Sequence, residues 1–119
     1  MKTNQKPYNI YVATYNELLQ SYNDARNSLE CCTVRVALKR DVLSLYPAGP
    51  DRNAAEIDFA EEQRKLRNCI GAVDGRLADM TRYYKNNYSK LETENLHSPE
   101  TYPTSHAIIE LAYRNHYLR

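Results

Sequence analysis

Tryptophan is absent, phenylalanine occurs once, and the 119 residues include only 3 glycines and 5 prolines. So little turn chemistry excludes a many-stranded β-fold, which needs such residues at every chain reversal. Neither sign of charge is in excess: 16 Lys+Arg against 15 Asp+Glu leave +1 with neutral histidines. That balance argues against a protein that coats nucleic acid through bulk charge, and equally against an acidic mimic of nucleic acid. Uncharged stretches are short and rich in Tyr and Asn, far below the roughly 18 apolar residues of a membrane span, so no membrane partner is expected. The segment Met1-Lys2-Thr3-Asn4-Gln5-Lys6-Pro7 carries no apolar core after its lysines and does not read as a secretory signal. The three cysteines form no CxxC pair for zinc, and Cys31 and Cys32 are adjacent, a spacing that rarely bridges. Three reduced, mostly buried thiols in a cytoplasmic protein is the expectation.

What is present is tyrosine and helical spacing. Eleven tyrosines stand within the 42% hydrophobic fraction, and mean hydropathy is −0.75. Such a chain builds a narrow seam more readily than a thick core. Apolar side chains recur at Tyr11, Tyr15, Leu18, Tyr22, Ala25, Leu29, Cys32 and Val36 in steps of three and four, and again at Leu43 after Lys39 takes the intervening slot. This spacing keeps one face of a helix towards a partner and predicts a helix over about 8–46. Tyr46-Pro47-Ala48-Gly49-Pro50 cannot continue it, and Asp51 is the expected N-cap of the next helix. A second run, Ala55, Phe59, Leu66, Ile70, Val73, Leu77, Met80, Tyr84, Tyr88 and Leu91, predicts a helix over about 51–96. A short third helix is expected over about 105–117, after the prolines at 99 and 103.

The expected fold is therefore all-α and a single domain over 1–119. It comprises an N-terminal tail (1–7), a long antiparallel helical hairpin (8–96), and a linker with a C-terminal helix (97–119). Centring the turn at 48–49 sets residue i opposite roughly residue 97 minus i, which brings Lys39 to Asp58 and gathers most tyrosines at the open end. There their rings are expected to be buried with hydroxyls wet, joined by Tyr113 and Tyr117 of the third helix.

Two helix faces exceed what the seam needs. Val34, Leu38, Val42 and Leu45, with Cys31, form a second apolar stripe nearly opposite Leu29, Val36 and Leu43 on a wheel of about 100° per residue. The third helix begins at the far end, and its linker is too short to bring it to the turn. Self-association into a homodimer is thus expected to cover the stripe and complete the bundle. On the second helix, Arg64, Arg67 and Arg82 share the face opposite the seam with Gly71 and Gly75. Small residues admit a close backbone and arginines offer forked donors, so this strip is the candidate for recognising another protein; nucleic acid is the less favoured partner. No phosphate loop, nucleophile–base pair or metal-ligand set is legible, and His106 with Glu110 reads as a surface pair. No catalytic residue, metal or cofactor is assigned. The expected role is non-enzymatic: an adaptor, inhibitor or assembly subunit, a format that suits small phage- or virus-encoded proteins.

Overall fold

A computed structural model describes residues 8–94 and 96–117, so the tail at 1–7 lies outside the described residues. It shows two long antiparallel helices, α1 (Ile10–Leu43) and α2 (Pro50–Asn86), then a single turn α3 (Tyr88–Leu91) and α4 (Ser105–Tyr117). Short 3₁₀ turns lie at Glu92–Glu94 and Pro99–Thr101, and no strand occurs among the described residues.

Each helix end has a local cause. Asn9 starts α1, its side chain accepting from the Tyr11 and Val12 amides. Leu43 ends it, three residues before the expected stop at 46. The Arg52 guanidinium reaches back from α2 and donates to the Leu43 and Tyr46 carbonyls, the second at 2.7 Å. A cation at a helix C-terminus satisfies orphan carbonyls and suits the helix dipole. The expected N-cap of α2, Asp51, is displaced. Gly49 takes that position at φ 149°, where other residues are strained, and Pro50 follows at the first helical position, which suits its fixed φ. Asn87 interrupts α2 short of the expected 96. Its amide keeps the ordinary bond to the Tyr83 carbonyl, which also accepts from its side chain, but its backbone, at φ −123° and ψ 23°, leaves helical geometry before α3 resumes.

The seam holds Tyr15, Tyr22 and Leu29 of α1 against Val73 and Met80 of α2, closed by Leu91 and Ile108. Truncating any of these large side chains removes about 2–5 kcal/mol, the usual cost of a core cavity. The register follows the expected one. Lys39 meets Asp58 at 2.6 Å, a pair whose numbers add to 97, while Asn9 and Lys90 add to 99 and Cys32 and Cys69 to 101. The drift stays within one helical turn.

The C-terminal segment departs from expectation. The linker folds back along the hairpin, and α4 starts near its middle, with Ser105 bonded to Asp74 through backbone and hydroxyl. From there α4 runs beside α1 in the same direction until Tyr117 accepts a hydrogen bond from Arg40. Tyr113 and Tyr117 therefore stack at the turn end under the Arg40 guanidinium, about 5.8 Å from each ring, and not in the open-end cluster. The tail reaches towards the turn because the linker has already returned to mid-hairpin before the helix begins. The tyrosine hydroxyls also differ from expectation. Tyr15 donates to the His97 carbonyl at 2.9 Å and Tyr22 to that of Pro103, so buried phenols hold the linker instead of meeting water. The result is a rod of 73 × 28 × 24 Å.

Candidate functional site

Two faces stay open on this scaffold. On α1, packing by α4 buries Thr33 and Ala37 completely, so this neighbour takes the flank next to the seam. It does not take the outer face: Leu38 is 48% exposed, Val42 43% and Leu45 80%. Val34 is half-buried and Cys31 exposed. Val34, Leu38 and Val42 share one helix face, partly covered at Val34 and open at Leu38 and Val42, whereas Leu45, expected on the same helix, lies in the turn beyond its end at Leu43. Apolar exposure continues into the turn at Tyr46. A groove of about 590 Å³ between the helices, lined by Lys39, Val42, Tyr46, Asp51, Ala54, Ala55 and Asp58, indents the same end. The Lys39 ammonium, held by Asp58, has its pKa raised by that hydrogen bond and charge.

The second face lies on α2. Gly71 and Gly75 are exposed, and a Cβ on either would meet nothing within 4 Å. No close approach among the described residues explains them, and the backbone there is open. The arginines are partly committed. Arg64 grips Glu61 through two donors at 3.0 and 2.6 Å, which lowers the Glu61 pKa through the hydrogen bond and its charge. Arg82 lies 3.4 Å from Asp79. Arg67, also exposed, makes no ion pair among the described residues. All of these pairs are solvent-exposed, worth a fraction of a kcal/mol each, so a partner carboxylate can displace them.

The remaining chemistry is sparse. His106 and Glu110 form an exposed pair at 3.9 Å. No group of three or more His, Cys, Asp or Glu side chains able to hold a metal is found among the described residues. No described helix is long and apolar enough to cross a membrane. Glu62 is buried with Lys65 3.8 Å away, and its Oε2 has no hydrogen-bond partner among the described residues. Beside it Cys32 and Cys69 bring their sulfurs to 3.0 Å, and burial with that contact pushes the Cys32 thiol up to about 11. Reasoning from the sequence missed this thiol pair, the Arg52 clasp and the Arg40–tyrosine stack. The first had a signal, since the hairpin register already places Cys32 within a turn of Cys69; the other two depend on side-chain reach and on where the linker turns back.

No protein-family model matches the chain, and neither a curated protein nor a solved structure matches it, so this functional reading rests on the faces described above.

Proposed function

We propose that this protein is a non-enzymatic interaction module that pairs with a second copy of itself through Val34, Leu38, Val42 and Leu45 and presents the α2 face to another protein. The observation that carries the reading is that α4 packs on α1 yet leaves Leu38, Val42 and Leu45 open. A contiguous apolar helix face on a charged rod is a self-complementary surface, as a two-fold interface requires. Arg64, Arg67 and Arg82 around Gly71 and Gly75 then suit an acidic helix or segment of the second protein, which can lie close over the glycines and accept from the arginines. Free thiols suit a reducing, cytoplasmic setting.

Light scattering on the wild type and on a Leu38→Glu, Val42→Glu double variant tests the pairing. The expected outcome is a dimer for the first and a monomer of unchanged helicity for the second; a wild type that stays monomeric at micromolar concentration removes the proposal. For the α2 face, binding of a protein partner that persists at high salt fits the reading. A shift of RNA or DNA that collapses with salt and is lost in Arg64→Glu would replace it with nucleic-acid binding.

A further inference from the structure

The thiols at the middle of the hairpin carry an inference that is independent of the pairing surface. We propose that Cys32 and Cys69 are a site of reversible oxidation, closing an interhelical disulfide when they meet a low-molecular-weight disulfide such as oxidised glutathione. Three observations support it. Their sulfurs lie 3.0 Å apart, nearer than ordinary van der Waals contact, on helices whose packing already sets the approach. A groove of about 550 Å³ opens onto them, lined by Asn27, Ser28, Cys31, Arg35, Lys65 and Asn68, so a small oxidant reaches the pair without unfolding. Arg35 and Lys65 make the mouth of this groove cationic, which suits an anionic peptide disulfide and a thiolate. Glu62, beside Cys32, is paired with Lys65 and offsets its charge, so the net positive charge of the mouth is that of Arg35.

The two thiols divide the work. Cys69 is partly exposed whereas Cys32 is buried, its thiol held up by desolvation and by Cys69, so Cys69 is the first nucleophile. Its thiolate attacks one sulfur of oxidised glutathione. The glutathione S–S bond breaks, a glutathione thiolate leaves and takes up a proton, and a mixed disulfide forms on Cys69. Cys32 then loses its proton to solvent and attacks the Cys69 sulfur, expelling the second glutathione as a thiol. Two protein thiols are oxidised by two electrons, and one glutathione disulfide is reduced to two thiols. Cys31 is exposed and lines the same groove, so it is the competing thiol that the test must remove.

The bond would close a loop between residues 37 apart in sequence and so restrict the unfolded chain. The expected rise in Tm is about 10 °C, less than the full loop-entropy value, because cross-links commonly deliver less than that. The test uses the full chain with Cys31→Ser, which removes the exposed thiol that could link two copies. After incubation with oxidised glutathione the chain should lose two hydrogens by intact mass, show no alkylatable thiol, and melt at the higher temperature. Dithiothreitol should reverse all three. Cys31→Ser with Cys32→Ser should instead retain one glutathione on Cys69. A Cys31→Ser chain that keeps two alkylatable thiols, stops at the mixed disulfide, or forms only disulfide-linked dimers would overturn the proposal.

Discussion

Tyr15 offers a perturbation whose size follows from its surroundings. The ring is 1% exposed against Tyr84, and its hydroxyl donates to the His97 carbonyl. Desolvation, and then the neighbouring Tyr102 and Tyr84, push its pKa up from 10.0 to about 12. Ionisation is therefore harder in the fold than in the unfolded chain. The contribution of Tyr15 to stability is complete below pH 10 and is lost as pH climbs from 10 to 12. Two pKa units correspond to about 2.7 kcal/mol, of which about half is gone midway through that window. Tyr15→Phe keeps the ring and removes both the proton and the hydrogen bond. Near neutral pH the variant should be less stable by about 1 kcal/mol, the usual net value of one such bond with its orphaned carbonyl. Above pH 12 the order should reverse by about 1.5 kcal/mol, since only the wild type still carries the penalty. Urea unfolding followed by circular dichroism at a series of pH values reads both limbs, and the comparison cancels the other titrating groups. Stability curves that run parallel through this window would refute the reasoning, because they would mean that the phenol is solvated in the folded state.

Other consequences are quicker to check. Gly71→Ala and Gly75→Ala each place a methyl in open space on an exposed helix, so each should stabilise the chain by roughly 0.5–1 kcal/mol in thermal melts. If the α2 face docks a protein, the same variants should weaken that binding, and stability and affinity should move in opposite directions. Ser105→Ala removes the hydroxyl bond to Asp74 and should cost about 1 kcal/mol, with amide exchange accelerating first in α4. Acceleration spread evenly over α1 and α2 would contradict the view that this contact anchors α4. Leu29→Ala, by contrast, should cost about 2–5 kcal/mol and loosen the whole hairpin.

Much of the architecture could be read from spacing because the hairpin is a one-dimensional problem. Three-four periodicity from Tyr11 to Val36 sets one face, the Pro47–Pro50 cluster sets the reversal, and charge matching of Lys39 with Asp58 sets the register. The ends were less legible. Arg52 reaches back to the Leu43 and Tyr46 carbonyls where α1 ends, and Asn87 leaves helical backbone geometry where α2 ends, neither of which is recorded in periodicity. The course of α4 was the largest departure. Its direction depends on two buried phenols, Tyr15 and Tyr22, tying the linker back, and on Asp74 receiving Ser105. Nothing in local spacing records such long-range bonds. Of the candidate faces, the stripe is exposed at Leu38 and Val42, half-buried at Val34, and carried past the helix end at Leu45. The arginine strip is altered, because Arg64 and Arg82 already hold Glu61 and Asp79.

Side-chain footprinting with hydroxyl radicals at micromolar concentration reads the outer face of α1 directly. In the isolated chain Leu45 is 80% exposed and Ile57, on the far side of α2, is 73% exposed, so the two provide a matched comparison. Pairing predicts that Leu38, Val42 and Leu45 are modified several-fold more slowly than Ile57, and that the difference disappears on dilution. Modification of Leu45 as fast as Ile57 at every concentration would mean that this face remains wet and that no second copy covers it.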